Sequence, residues 1–184
     1  MNGYTVFALA IGPGIFWLWY FYKKDKLEPE PKALVITMFL LGALAVIPVF
    51  FIEEAFNFGF ERISPALLLV VGAPVIEEYT KFWVVRRFVY SNHEFNEPMD
   101  GIVYAAAVAL GFASLENLSY VGCAYFNMRE QGETTAGLVW SVSFTRAFFS
   151  VPGHVLFSAM WGYALGAAKF THDPARAHTF VRRG

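Results

Sequence analysis

The sequence predicts an all-α fold: a polytopic transmembrane helix bundle with about five spans plus one re-entrant or interfacial segment. Three observations lead there. Of 184 residues, 57% are hydrophobic and 18% aromatic, and only 16% are charged, whereas a soluble domain carries about 25% charged residues. Several apolar runs approach the roughly 20 residues that a helix needs to cross a bilayer. The lysines and arginines gather in loops between those runs, as they do where loops face the cytoplasm. Net charge is -1, so nothing points to nucleic acid, and the partners to expect are the lipid bilayer and proteins within it. Cys123 is the only cysteine, which excludes an internal disulfide and a thiolate cluster. No repeat or low-complexity run divides the chain, and 1–184 reads as a single integral membrane domain.

The first run, 4–22, is long enough to remain as a span rather than be cleaved as a signal. It ends in Trp17-Leu-Trp-Tyr-Phe-Tyr22, an aromatic belt of the kind that sits at headgroups. The second run is 33–52. The third, 65–90, holds the adjacent carboxylates Glu77 and Glu78 inside a membrane-length segment. The fourth is 101–126. Its Gly101, Ala105, Ala106, Ala107, Ala109, Gly111 and Ala113 make a small-residue surface that lets helices approach closely. The run 136–149 is short for a span and contains Arg146. The last run, 152–170, opens on Pro152, a favoured first helical position. Polar linkers fall at 23–32, 53–64, 91–100 and 127–135.

Lys23, Lys24, Lys26 and Lys32 place the first loop inside and the N-terminus outside, and Arg86-Arg87 agree. The tail, with Lys169, Arg176, Arg182 and Arg183, belongs inside. A full crossing by 136–149 would put that tail outside, so this run reads as re-entrant or interfacial. Such backbone is tolerated at depth where protein or water surrounds it.

A carboxylate at the centre of a span costs roughly 2.5–3.5 kcal/mol, and intramembrane ionisable groups mark function. Lys81 lies four residues from Glu77 and three from Glu78, on one helix face, and can neutralise one while the other does chemistry. Glu116 and Asn117 lie about 15 Å from the outer end of their helix and Glu77 about 18 Å from that of its own, so the carboxylates can share a depth. His154 follows Pro152-Gly153 and approaches them if its helix starts below the surface. The plainer readings are a buried ion pair for Glu77, Glu78 and Lys81, and interhelical hydrogen bonding for Glu116 and Asn117. Glu53 and Glu54 read as solvated charges at a helix end, and Asp100 as an N-cap. Arg146 either pairs with a carboxylate or reaches headgroups. His93, His172 and His178 read as solvated.

Carboxylates, a histidine and an amide in one membrane cavity suit peptide hydrolysis. Glutamate takes a proton from water, and His or Asn supports the developing oxyanion. A divalent metal such as zinc is a variant, held by Glu77, Glu78, Glu116 and His154, although no HExxH pattern is present. Serine chemistry is unsupported, since no GxSxG surrounds Ser150 or Ser158. The alternative class is a non-catalytic membrane scaffold, or a proton or ion carrier using the buried glutamates.

Three blocks stand out: Glu77-Glu78-Tyr-Thr-Lys81; Glu97-Pro98-Met99-Asp100-Gly101-Ile-Val-Tyr104 running into Gly111-Phe-Ala113-Ser-Leu-Glu116-Asn117; and Val151-Pro152-Gly153-His154 with Gly162-Tyr163. Together they resemble the PrsW family of intramembrane proteases, which is similar, more distantly, to the CAAX prenyl endopeptidases and bacterial Abi membrane proteins. The resemblance implies a protease of the prokaryotic cytoplasmic membrane that cuts membrane-spanning proteins, an anti-sigma factor in the best-known role. Glu77, Glu78, Glu116 and His154 would form the catalytic set, with Lys81, Asn117, Asp100 and Arg146 in support. It also implies a further helix with a His near the C-terminus, which the sequence to Gly184 does not contain.

Overall fold

The computed structural model describes residues 2–24, 29–59, 67–131 and 136–171. Every element among them is helical: α1 (Gly3–Lys24), α2 (Lys32–Gly59), α3 (Ala73–Phe88), α4 (Asp100–Gln131), α5 (Ala136–Thr145) and α6 (Val151–Phe170). Two π-helical turns, Leu68–Gly72 and Arg146–Ser150, lead into α3 and α6. The start of the predicted third run and the tail beyond 171, with His172 and His178, lie outside the described residues.

Among the described residues, three helices are long and apolar enough to cross a membrane by length and composition: Gly3–Lys23, Lys32–Phe56 and Asp100–Asn127. The apolar window of α4 is 72% buried within the protein, against 17% for α1 and 28% for α2. α4 is therefore the axis of the bundle and touches every other helix. The outer helices turn Phe7, Phe16, Trp19, Phe50 and Phe51 outward, the arrangement a lipid environment rewards.

The central position of α4 depends on its small residues. A Cβ on Gly101 would collide with the Gly162 carbonyl of α6, and one on Gly111 with the Phe39 carbonyl of α2. Ala105, Ala107, Ala109 and Ala113 are fully buried beside them. Gly101→Val is expected to push α4 and α6 apart and to cost about 1–3 kcal/mol, the range for overpacking. Thermal unfolding in detergent checks this; an unchanged midpoint would show that the contact is dispensable.

The run 136–149 differs from the sequence expectation. It is not separated from the last run, 152–170. The backbone is α-helical at Thr145, Ser150 and Val151, so α5, the π turn and α6 form one continuous helix. Pro152 does not start it. Proline lacks an N–H and its ring clashes with the carbonyl four residues back, and the π turn just before it absorbs the disruption. Pro74 stands in the same relation to the π turn Leu68–Gly72.

This continuity removes the conflict over the basic tail, because 136–170 passes through the bundle once. Lys169 Nζ donates to the carbonyls of Tyr90 and Phe95, each at 2.6 Å. The end of α6 thus shares a face with the end of α3. Tyr104 near the start of α4 donates to buried Glu30, and Tyr22 at the end of α1 donates to the Glu30 carbonyl, which puts those termini on the same face.

Candidate active site

Glu77, Glu78 and Lys81 come from the middle of α3, Glu116 and Asn117 from the middle of α4, Arg146 from the second π turn, and His154 from the first turn of α6. The structure brings these seven together.

Lys81 is fully buried at their centre. An ammonium has three protons to donate, and three acceptors surround this one: Glu77 Oε2 at 3.2 Å, Glu78 Oε1 at 2.7 Å and His154 Nδ1 at 2.8 Å. The Phe112 ring, 4.1 Å from Nζ, closes the remaining side. Because Nδ1 accepts from the ammonium, the imidazole proton sits on Nε2, which donates to Glu116 Oε2 at 3.0 Å. Arg146 donates to the same oxygen, with Nη2 2.5 Å from Oε2, while its Nε donates to Asn117 Oδ1. Asn117 in turn donates to the Ala10 carbonyl of α1. The chain of contacts thus crosses the bundle from α3 to α1.

The paired glutamates are not equivalent. Both oxygens of Glu78 are engaged, Oε1 by Lys81 and Oε2 by Ser158 Oγ at 2.7 Å and Trp161 Nε1 at 2.9 Å. Glu77 accepts only through Oε2 and leaves Oε1 without a hydrogen-bond partner among the described residues. A cavity of about 520 Å³ opens between α3 and α6, lined by Glu77, Glu78, Glu116 and His154 with Pro74, Val75, Phe149 and Phe157.

Two sequence expectations are placed differently. Asp100 lies at the other end of α4, more than four turns from Glu116. Its Oδ2 accepts the N–H groups of Asn96 and Glu97, which precede the helix, so it braces the incoming loop. The first amides of α4 go instead to the Met99 carbonyl, and the side chain does not act as an N-cap. Glu53 is not a solvated end charge: its Oε1 is buried with no hydrogen-bond partner, and the side chain lines a second cavity with Glu77 and Glu116. Ser158 and Trp161 escaped sequence reasoning as site residues. Their signal is spacing, since they lie four and seven residues after His154 on the same helix face.

A family model described as PrsW family intramembrane metalloprotease matches residues 30–184. Among curated relatives, a Protease PrsW of Geobacillus kaustophilus (strain HTA426) is 40% identical over 97% of this chain and 73% of its own length. One from Oceanobacillus iheyensis is 38% identical over 91% and 71%, and one from Bacillus subtilis (strain 168) is 35% identical over 94% and 73%. No solved structure matches.

The family description implies a metal. The donors as arranged do not fit one. The Lys81 ammonium already occupies the point where Glu77, Glu78 and His154 Nδ1 converge, and the other imidazole nitrogen and Glu116 are bound to each other and to Arg146. Among the described residues no group of His, Cys, Asp or Glu is spaced to hold a metal ion. The polar site within an apolar bundle and the match across most of the chain agree on the assignment: the chain is an integral membrane protein and belongs to the PrsW family of intramembrane proteases.

Proposed function

We propose that this protease hydrolyses a peptide bond of a membrane-spanning protein with Glu77 as the general base. The observation that carries the reading is the inequality of the glutamate pair: Glu78 is spent on Lys81, Ser158 and Trp161, while Glu77 keeps one oxygen free beside His154. A water held against Glu77 Oε1 gives its proton to that oxygen as its own oxygen adds to the scissile carbonyl carbon. The developing oxyanion takes a hydrogen bond from His154 Nε2–H, which in the resting site is parked on Glu116. Collapse of the tetrahedral intermediate breaks the C–N bond, and the departing amine takes the proton from Glu77. Lys81 donates to the other oxygen of Glu77 and supplies the positive charge beside it. Arg146 and Asn117 fix Glu116, and through it the imidazole.

The substrate reaches the site sideways. Val75, Phe149 and Phe157 flank the α3–α6 cavity and are largely exposed, so a lipid-facing opening adjoins the carboxylates. A single-span protein of the anti-sigma-factor type is the first substrate class to test. The experiment is cleavage of a single-span reporter by the purified, reconstituted protein, with and without a strong chelator. Cleavage that survives chelation supports this chemistry. Activity lost to the chelator and restored by zinc would overturn it.

For orientation we propose the N-terminus outside and the end of α6 inside. Lys23, Lys32, Arg86, Arg87 and Lys169 then all face the cytoplasm. With single cysteines in a Cys123→Ala background, a membrane-impermeant thiol reagent is expected to label position 2 and spare position 91 in intact cells. The reverse pattern would invert the topology.

A further inference from the structure

Hydrolysis consumes one water per bond cut, and the lipid-facing cavity between α3 and α6 is a poor source of it. A second cavity, of about 430 Å³, lies between α2 and α4. The two share Glu77 and Glu116 in their linings, so this carboxylate pair stands as the wall between them. Both walls are mixed. The α3–α6 cavity sets Glu78, Ser150 and His154 among Val75, Phe149 and Phe157. The α2–α4 cavity sets Glu53, Glu54, Ser119 and Tyr120 among Val46, Val49 and Phe50. Glu53 and Glu54 belong to the last two turns of α2.

Glu53 supplies an independent observation. Its Oε1 is buried and has no hydrogen-bond partner. Burying a carboxylate oxygen without a partner is costly, and a partner that fits a space of this size between Glu53, Glu77, Ser119 and Tyr120 is water. The space has room for several waters, and its inner end is the base.

We propose that the α2–α4 cavity is the water route to Glu77, separate from the cavity that receives the peptide, and that Glu53 is a positioning residue that holds water in it. The proposal rests on the reading of Glu77 as the base. Water arrives along α2 from the end that carries Glu53 and Glu54, while the substrate arrives from the bilayer on the opposite side of the Glu77–Glu116 wall. The two reactants then meet without competing for one opening.

The native Cys123 lines this cavity and is exposed, which makes it a built-in probe. In reconstituted wild-type protein, a small cationic methanethiosulfonate is expected to modify Cys123 faster than its anionic analogue, because carboxylates line the route. The adduct should slow reporter cleavage, and Cys123→Ala should be insensitive to the reagent. Glu53→Leu should lower kcat about 10-fold, in keeping with a misplaced nucleophile, and leave KM unchanged. Glu53→Gln, which retains an acceptor oxygen, should stay within about 3-fold of wild type, well short of the loss expected for removing a general base. Reaction of Cys123 with a lipophilic maleimide but not with the charged reagents would overturn the water route. Wild-type kcat in Glu53→Leu would overturn the role of Glu53. Labelling needs no turnover. A wet Cys123 in a protein whose Glu77→Gln variant still cleaves would sink the assignment of the base and leave the route standing.

Discussion

Glu77→Gln is expected to reduce peptide hydrolysis by about 10²–10⁴-fold, the usual contribution of a general base, with insertion and folding retained. Glutamine preserves the shape and can still accept from Lys81 through its carbonyl oxygen, but it cannot take a proton from water. Glu78→Gln should behave differently. Three donors converge on Glu78, from Lys81, Ser158 and Trp161, and an amide nitrogen would face at least one of them. That variant should lose stability as well as activity, because a buried donor left without an acceptor costs about 1–3 kcal/mol. Reporter cleavage measured beside thermal unfolding separates the two. Equal activity loss with an unchanged melting midpoint in both variants would show that the glutamates are interchangeable and that the inequality seen here has no catalytic meaning.

Lys81→Met carries the largest expected structural penalty. The ammonium is fully buried and satisfies two carboxylates and one imidazole nitrogen from two helices. Removing one partner from a buried charge network typically costs about 3–5 kcal/mol, and here two carboxylates would lose their counter-ion together. Loss of activity should follow, because His154 would lose the donor that sets its tautomer. The double variant Glu78→Gln/Lys81→Met should be less destabilised than the two single effects added, since it removes a positive and a negative charge together. Strict additivity in unfolding free energy would mean that the two residues do not interact in the folded protein.

The helical class and the shared depth of Glu77, Glu78 and Glu116 were legible in the sequence because they depend on composition and helical rise; His154 was expected beside them only if its helix started below the surface, and it joins them from a helix that runs on from α5 instead. Apolar runs set the helices, and counting along them put the carboxylates at one depth. The association of Lys81 with both glutamates followed from three- and four-residue spacing. What escaped was of two kinds. The union of 136–149 with 152–170 was hidden by Pro152, since proline reads as a helix start and a π turn has no residue signature. The partners of Glu78 and the enclosure of one Glu53 oxygen depend on which helices lie side by side. Ser158 and Trp161 are two more residues on an apolar helix, and Glu53 is one more charge near a helix end, until α6 is packed on α3 and α2 on α4. Asp100 shows the reverse: its position at a helix start suggested a cap, and only the fold of the preceding loop revealed that its bonds run backwards.

The π turn at Arg146–Ser150 also bears on insertion and deletion. A π turn is one residue wider than the α-helical turn it replaces. Deleting one residue within 147–149 would let the segment relax to an unbroken α-helix while the turns on either side keep their register, so Arg146 would still face Glu116. A deletion within the regular turns of α5, which hold no spare residue, would instead rotate everything before it by about 100° around the axis. The π turn is therefore a slack link, a place in 136–170 where length can change without turning the side chains that meet Glu116.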